Sequence, residues 1–188
     1  MPRWLSEQLA HRAVERLPEG GVAVDLCTGS GAIAKTLHTF RPGARVLASD
    51  VDERSVACAI LNGVDAQLGD LFAPLPRDIE GRVDVVVAVV PYVPTSELPL
   101  LQRDTFAFET PLAYDGGPDG TAILRRVIEQ SPRFLRPGGA LLLEIGGDQA
   151  EALGDDLTGH GFTQVRVLKD EDGDVRGIEA TRRPAADT

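Results

Sequence analysis

The stretch RVDVVVAVV, Arg82 to Val90, constrains this chain more than any other. From Val85 onward it is wholly apolar and mostly β-branched, so it lacks the alternation of a strand with one wet face. Such a strand must be covered on both sides, as in the centre of a parallel sheet wound by helices. The flanking sequence supplies the partners. VAVDL (22–26), ARVLASD (44–50), DAQLGD (65–70) and ALLLEIG (140–146) read as further strands, with helical patterns between them. One helix runs from Gly29 and Gly31 toward His38, a second covers ERSVACAILNG with Gly63 as its stop, and a third covers TAILRRVIEQSPRFL and leads through RPGG to the next strand. After a helix around Ala150 to His160, FTQVRVLKD and VRGIEATRR flank EDGD, whose Asp-Gly turn predicts an antiparallel hairpin over 163–183. The expected fold is therefore α/β: a doubly wound, mostly parallel, seven-stranded Rossmann-like sheet with a C-terminal antiparallel hairpin. Residues 92–120 carry much Pro, Gly and charge but little periodicity, which predicts a long loop over the carboxyl ends of the strands.

Length and charge narrow the function classes. With 188 residues, 43% of them hydrophobic, one full core and a single domain over 1–188 are expected. The opening MPRWLSEQLAHRAVERL predicts a helix within residues 1–18 and lacks a long apolar run, which argues against a signal peptide or membrane anchor and for the cytoplasm. A net charge of -10 opposes phosphate backbones, so nucleic acid is an improbable partner. Cys27 and Cys58 form no C-x-x-C pair, so neither a metal site nor a disulfide framework is expected. Arg125, Arg126, Arg133 and Arg136 read as one solvated helix face without function. Exposed sheet edges leave a homodimer open.

DLCTGSGAIA holds the chemistry of the first half. Gly29-x-Gly31-x-x-Ala34 formally satisfies a dinucleotide fingerprint, but Asp25 at the tip of the first strand repels a pyrophosphate. A carboxylate there suits a ligand with an ammonium and a sulfonium, which is S-adenosyl-L-methionine. Asp50 ends the second strand, where it can accept both ribose hydroxyls, and Asp70 ends the third, where it can accept from the adenine amino group. Each acid taken singly is equally well a helix cap or turn acid. Three acids at three strand ends are a stronger signal. The expected cofactor set is Asp25, Cys27, Thr28, Gly29, Gly31, Asp50, Val51, Asp70, Leu71 and Val89, with Cys27 a small hydrophobe and only remotely a nucleophile.

The chain resembles class I S-adenosylmethionine-dependent methyltransferases, and in particular the HemK/PrmC family of protein-glutamine methyltransferases. PRWLSEQL is similar to that family's opening helix, DLCTGSGAIA to its cofactor loop, and FETPLAYDGGPDG to its substrate-side loop. LRPGGALLLEIGGDQ and KDEDGDVRGIEATRR also match in order and spacing. The resemblance implies a glutamine side chain of a peptide release factor as acceptor, but with two departures. The family's fourth strand ends in Asn-Pro-Pro-Tyr, whose asparagine side chain and following carbonyl accept the two N–H bonds of the target amide. Here Val89-Val90-Pro91-Tyr92 stand instead. The family also carries a helical docking domain ahead of the catalytic one, and this chain begins almost directly at the latter.

Losing one dedicated acceptor costs on the order of a hundredfold in rate, by analogy with an oxyanion-hole donor. The leading expectation is therefore in-line methyl transfer to oxygen or nitrogen of a small-molecule or peptidic acceptor. The release-factor-type glutamine methyltransferase is the alternative, a cofactor-binding subunit without turnover is another, and a nicotinamide enzyme is a distant third. The expected acceptor set is Val90, Pro91, Tyr92, Arg103 and Glu109, with Val89 and Val90 offering carbonyls to the cleft. Tyr92 is the catalytic candidate, although a strand-end tyrosine with its hydroxyl in water fits equally well. Should the acceptor be an alcohol, Glu109, Asp104, Asp115 and His11 are the candidate bases.

Overall fold

The computed structural model describes residues 6–100, 114–147 and 149–184. The strands are β1 (Val22–Leu26), β2 (Arg45–Asp50), β3 (Ala66–Leu68), β4 (Val83–Ala88), β5 (Leu135–Glu144), β6 (Phe162–Lys169) and β7 (Val175–Arg182). They form one sheet in the order β3-β2-β1-β4-β5-β7-β6. The pairs β2–β3, β1–β2, β1–β4 and β4–β5 are parallel, whereas β7 runs antiparallel to both β5 and β6. This is the doubly wound sheet with a terminal hairpin that the apolar runs predict.

All six residues of β4 are buried. Its alternation divides the molecule into two layers. Val86, Ala88 and Val90 pack with Leu124, Val127 and Ile128 of α4 (Ala122–Phe134). Val85, Val87 and the half-buried Val89 belong to the opposite layer, with Leu9 and Ala13 of α1 (Glu7–Arg16) and Ile33 and Leu37 of α2 (Ala32–Phe40). Each fully buried valine contributes roughly 1.5–3 kcal/mol relative to an exposed one. α1 is further tied down by charge. Arg12 and Arg16 both pair with the buried Glu179 of β7, and Ser6 Oγ donates to Glu144 at 2.5 Å.

Two local readings differ from the structure. RPGG does not separate helix from strand, because β5 starts at Leu135 and takes these residues in, with a register shift between Val83 and Val85 opposite. Gly139 permits this: a β-carbon there lies 2.9 Å from the Val83 carbonyl, closer than side chains approach. The helix expected over 150–160 divides into α5 (Gln149–Ala152) and α6 (Gly154–Gly159). Gly154, a poor helix interior residue, lies at the division, and the flanking Leu153 and Leu157 are both buried.

The strand order reverses between β1 and β4, which opens a crevice at the carboxyl edge of the sheet, where ligands of such folds bind. α3 (Glu53–Leu61) and α4 flank that edge. Among the described residues no helix is long and apolar enough to cross a membrane.

Candidate active site

From the tip of β1 the chain passes through Cys27-Thr28-Gly29-Ser30-Gly31 into α2. Cys27, Gly29 and Gly31 all take left-handed backbone angles, with φ of 55°, 56° and 82°. At Cys27 this costs of order 1–3 kcal/mol, so the surroundings must hold it. The two glycines differ. A β-carbon on Gly31 would sit 2.8 Å from Val64 Cγ2, so Gly31 lets α2 pack against the end of α3, whereas nothing lies within 4 Å of one on Gly29. The space beside Gly29 is open to a ligand.

Asp25 is 1% exposed and fixes this loop from below. Its Oδ2 accepts from Thr28 Oγ1 at 2.6 Å and from the Ala34 amide at 3.1 Å. Burial pushes its carboxyl up to about 7, opposed by those two hydrogen bonds and reinforced by Asp50. Asp50 accepts from the Gly29 amide on Oδ2 and from the Asp52 amide on Oδ1, both at 2.9 Å. Each oxygen keeps a second lone pair, so the carboxylate can still accept from two hydroxyls. Beside it Val51 is 57% exposed and offers an apolar face. Asp70 accepts from Arg126 at 2.5 Å.

The three acids converge on Cys27. Burial, then Asp50, Asp25 and Asp70 in that order, push its thiol up to about 12, while Arg126 opposes them. The thiol is therefore protonated at neutral pH, which removes the nucleophilic role for Cys27. Leu71 also departs from expectation. Its side chain is buried in the core, φ is 47°, and its carbonyl accepts from Ser49 Oγ, so only its backbone can meet a ligand.

The acceptor side is built differently. Val89 is half-buried on the α1/α2 layer, and Val90 has its side chain in the core, which leaves only its backbone for an acceptor. The Tyr92 hydroxyl donates to Glu144 Oε1 at 3.2 Å, and Glu144 is 2% exposed. The hydroxyl of this half-buried tyrosine thus faces a buried carboxylate at the end of β5. The Tyr92 carbonyl accepts from Gln149 Nε2 at 2.9 Å, while Gln149 Oε1 accepts from the Gly146 amide at 3.0 Å. Gly120 packs so tightly on Tyr92 that a β-carbon there would lie 2.3 Å from its carbonyl oxygen. An open cavity of about 430 Å³ adjoins this clamp, lined by Asp119, Thr121, Gln149, Glu151 and Ala152. None of the three strand-tip acids lines it.

The candidate bases fall away or lie elsewhere. Asp115 accepts from Thr95 Oγ1 at 2.7 Å and the Gly117 amide at 3.0 Å, which hold its carboxyl below the usual range. His11 lies on α1 against Phe40, beside Glu7. Arg103, Asp104 and Glu109 lie outside the described residues. The arginines of α4 are exposed, as expected of a solvated face, and Arg125, Arg126 and Arg133 pair there with acids of different elements, as does Arg136 just after the helix. Among the described residues no group of three His, Cys, Asp or Glu could hold a metal ion.

Glu144, Gln149 and Arg126 escaped the reading of the sequence. Glu144 had a signal, an acid ending the apolar run ALLLE, which is the rule that singled out Asp25, Asp50 and Asp70. Gln149 and Arg126 had none, since their partners lie 57 and 56 residues away.

No family model matches the chain. The chain superposes on a protein-(glutamine-N5) methyltransferase (release factor-specific) from Alicyclobacillus acidocaldarius with a TM-score of 0.61 and 26% identity, over 98% of this chain and 95% of that one. Fold and site define an S-adenosylmethionine-dependent methyltransferase, and S-adenosyl-L-methionine is its cofactor. Release factor glutamine methyltransferases from Moorella thermoacetica and Cereibacter sphaeroides are 39% and 36% identical to it, over 97% and 87% of this chain. The chain belongs to the release factor glutamine methyltransferase family. It spans 67% and 60% of the length of those two relatives.

Proposed function

We propose that the protein methylates the side-chain amide nitrogen of a glutamine in a release-factor-type polypeptide. The observation that carries this reading is its 39% identity to a release factor glutamine methyltransferase over 97% of the chain. It replaces the small-molecule acceptor as the leading assignment.

The bound cofactor supplies a methyl group on a sulfonium, which leaves as a thioether. The chain's own part is binding and alignment. Asp50 would accept from the ribose hydroxyls, Asp70 from the adenine amino group, and Asp25 would supply negative charge for the ammonium. Val51 would offer its apolar face to the purine, and Thr28, Gly29 and the start of α2 would hold the methionine end. Carbonyls at Val89 and Val90 accept from the target N–H groups and hold the nitrogen in line with the methyl group. Tyr92 positions that turn, since its hydroxyl and carbonyl are bound to Glu144 and Gln149. Asp115 is committed to its own turn and is not the group that takes the amide proton.

A second reading is favoured by Val89. A valine side chain cannot accept a hydrogen bond, so a peptidic or small acceptor whose nucleophile is an amine or carboxylate also fits. Incubation with the cofactor and a purified release factor, followed by peptide mass spectrometry, separates the two. One added methyl on a glutamine supports the first reading. An unmodified release factor, with methylation of an amine or carboxylate in a mixed acceptor panel, overturns it in favour of the second.

A further inference from the structure

We infer that Arg126 is a positioning residue for adenine recognition, acting through Asp70 to set the cofactor's base preference. This rests on the assignment of Asp70 to the adenine amino group. Arg126 lies on α4 and reaches across to the carboxyl end of β3, where its Nη2 stands 2.5 Å from Asp70 Oδ2. The two side chains are 46% and 53% exposed, so the pair adds little to folding. Its consequence is geometric. A half-exposed aspartate in a turn has several accessible rotamers, and a guanidinium donor on one oxygen selects the one that leaves the other oxygen to accept.

The surroundings fit this role. Asp25, Asp50 and Asp70 all act on Cys27, and among the described residues Arg126 is the cation that opposes them, its contact with Asp70 placing it beside the same acids. The neighbouring arginines serve other elements: Arg125 pairs with Asp156, Arg133 with Glu80, and Arg136 with Asp84. Without Arg126, Asp70 is pushed by like charge away from Asp50, and an oxygen aimed at the base edge is lost.

The test compares S-adenosylhomocysteine with S-inosylhomocysteine, which carries an oxygen in place of the amino group and so confronts the carboxylate with an acceptor. Calorimetry on the wild-type protein is expected to show a preference of roughly tenfold to a hundredfold for the adenosyl compound, the range of a hydrogen bond to a charged group. Arg126→Met is expected to cut that preference about tenfold with an unchanged melting midpoint. In an Asp70→Asn background the same change is expected to have no further effect, because Arg126 then has no carboxylate to orient. A preference unchanged by Arg126→Met, or reduced equally in the Asp70→Asn background, overturns the inference; Arg126→Gln carries the same cycle should the Met variant not fold. A wild-type protein that binds both compounds equally overturns the Asp70 assignment with it. Failure to bind S-adenosylhomocysteine at all defeats the site as a whole.

Discussion

The two halves of the carboxyl edge meet at β1 and β4 yet are built from opposite materials. At the tips of β1, β2 and β3 stand Asp25, Asp50 and Asp70, each with a backbone amide or a guanidinium on its carboxylate. Past the tip of β4 stand Val89, Val90, Pro91 and Tyr92, the last held by a neutral carboxamide and by one buried carboxylate at the end of β5. The first half is specified by charge and by left-handed turns at Cys27 and Gly29, the second by apolar side chains and by the hydrogen bonds that clamp Tyr92. Charge fits a cofactor that is itself charged and invariant from turnover to turnover. In the proposed function the acceptor half relies on backbone carbonyls, so residue 89 is the side chain whose change tests how an amide is held.

Restoring the missing acceptor gives the largest expected effect. Val89→Asn is expected to raise glutamine methylation of a release factor on the order of a hundredfold, the scale of one pre-organised hydrogen-bonding group at a reacting centre. Initial rates by mass spectrometry check it, and an unchanged rate shows that residue 89 does not face the acceptor. On the cofactor side, Asp50→Ala removes two expected hydroxyl contacts and the bond from the Gly29 amide. It is expected to weaken S-adenosylhomocysteine binding by about 3 kcal/mol or more, measured by calorimetry.

Gln149→Leu tests the acceptor half from outside the reacting centre. It removes the bonds that Gln149 makes to the Tyr92 carbonyl and the Gly146 amide, at a cost of about 1–3 kcal/mol. Turnover is expected to fall roughly tenfold while cofactor affinity holds. A loss of cofactor affinity instead would show that the two halves are coupled.

Proton linkage distinguishes the halves more gently. The buried Asp25 carboxyl lies near 7 in the empty site, and a cationic ligand favours its ionised form. Cofactor affinity is therefore expected to fall as pH drops through 7, by roughly tenfold at pH 6 relative to pH 8, with proton uptake or release read from calorimetry in two buffers. The stability of the empty protein moves the other way. Because the folded value lies above the unfolded one, this group's contribution rises as pH falls from about 7 toward 4 and is lost as pH climbs back. Asp25→Asn should abolish both trends. The smallest effect belongs to Cys27→Ala, expected to leave turnover within about threefold, since a protonated thiol has no nucleophilic step to lose.

Much of this was legible before the coordinates. The apolar continuity of Val85 to Val90 demanded a doubly covered strand, and the acids Asp25, Asp50 and Asp70 each ended a run whose period announced a strand. Tyr92 was visible as a residue of interest, but its partners were not, because Glu144 and Gln149 lie 52 and 57 residues further on. The same limit hid the burial of Leu71 and Val90, which share a core with residues of α4 and β5 far along the chain.

What the sequence determined by itself was local and periodic: the strand runs, the glycines of the cofactor loop, and the order of acids along the chain. Those follow from hydrophobic period and backbone sterics, which act between near neighbours. Only the tertiary structure decided which acid is shielded and which is paired, and which side chain turns inward, because burial and ion pairing depend on through-space distance between residues far apart in the chain.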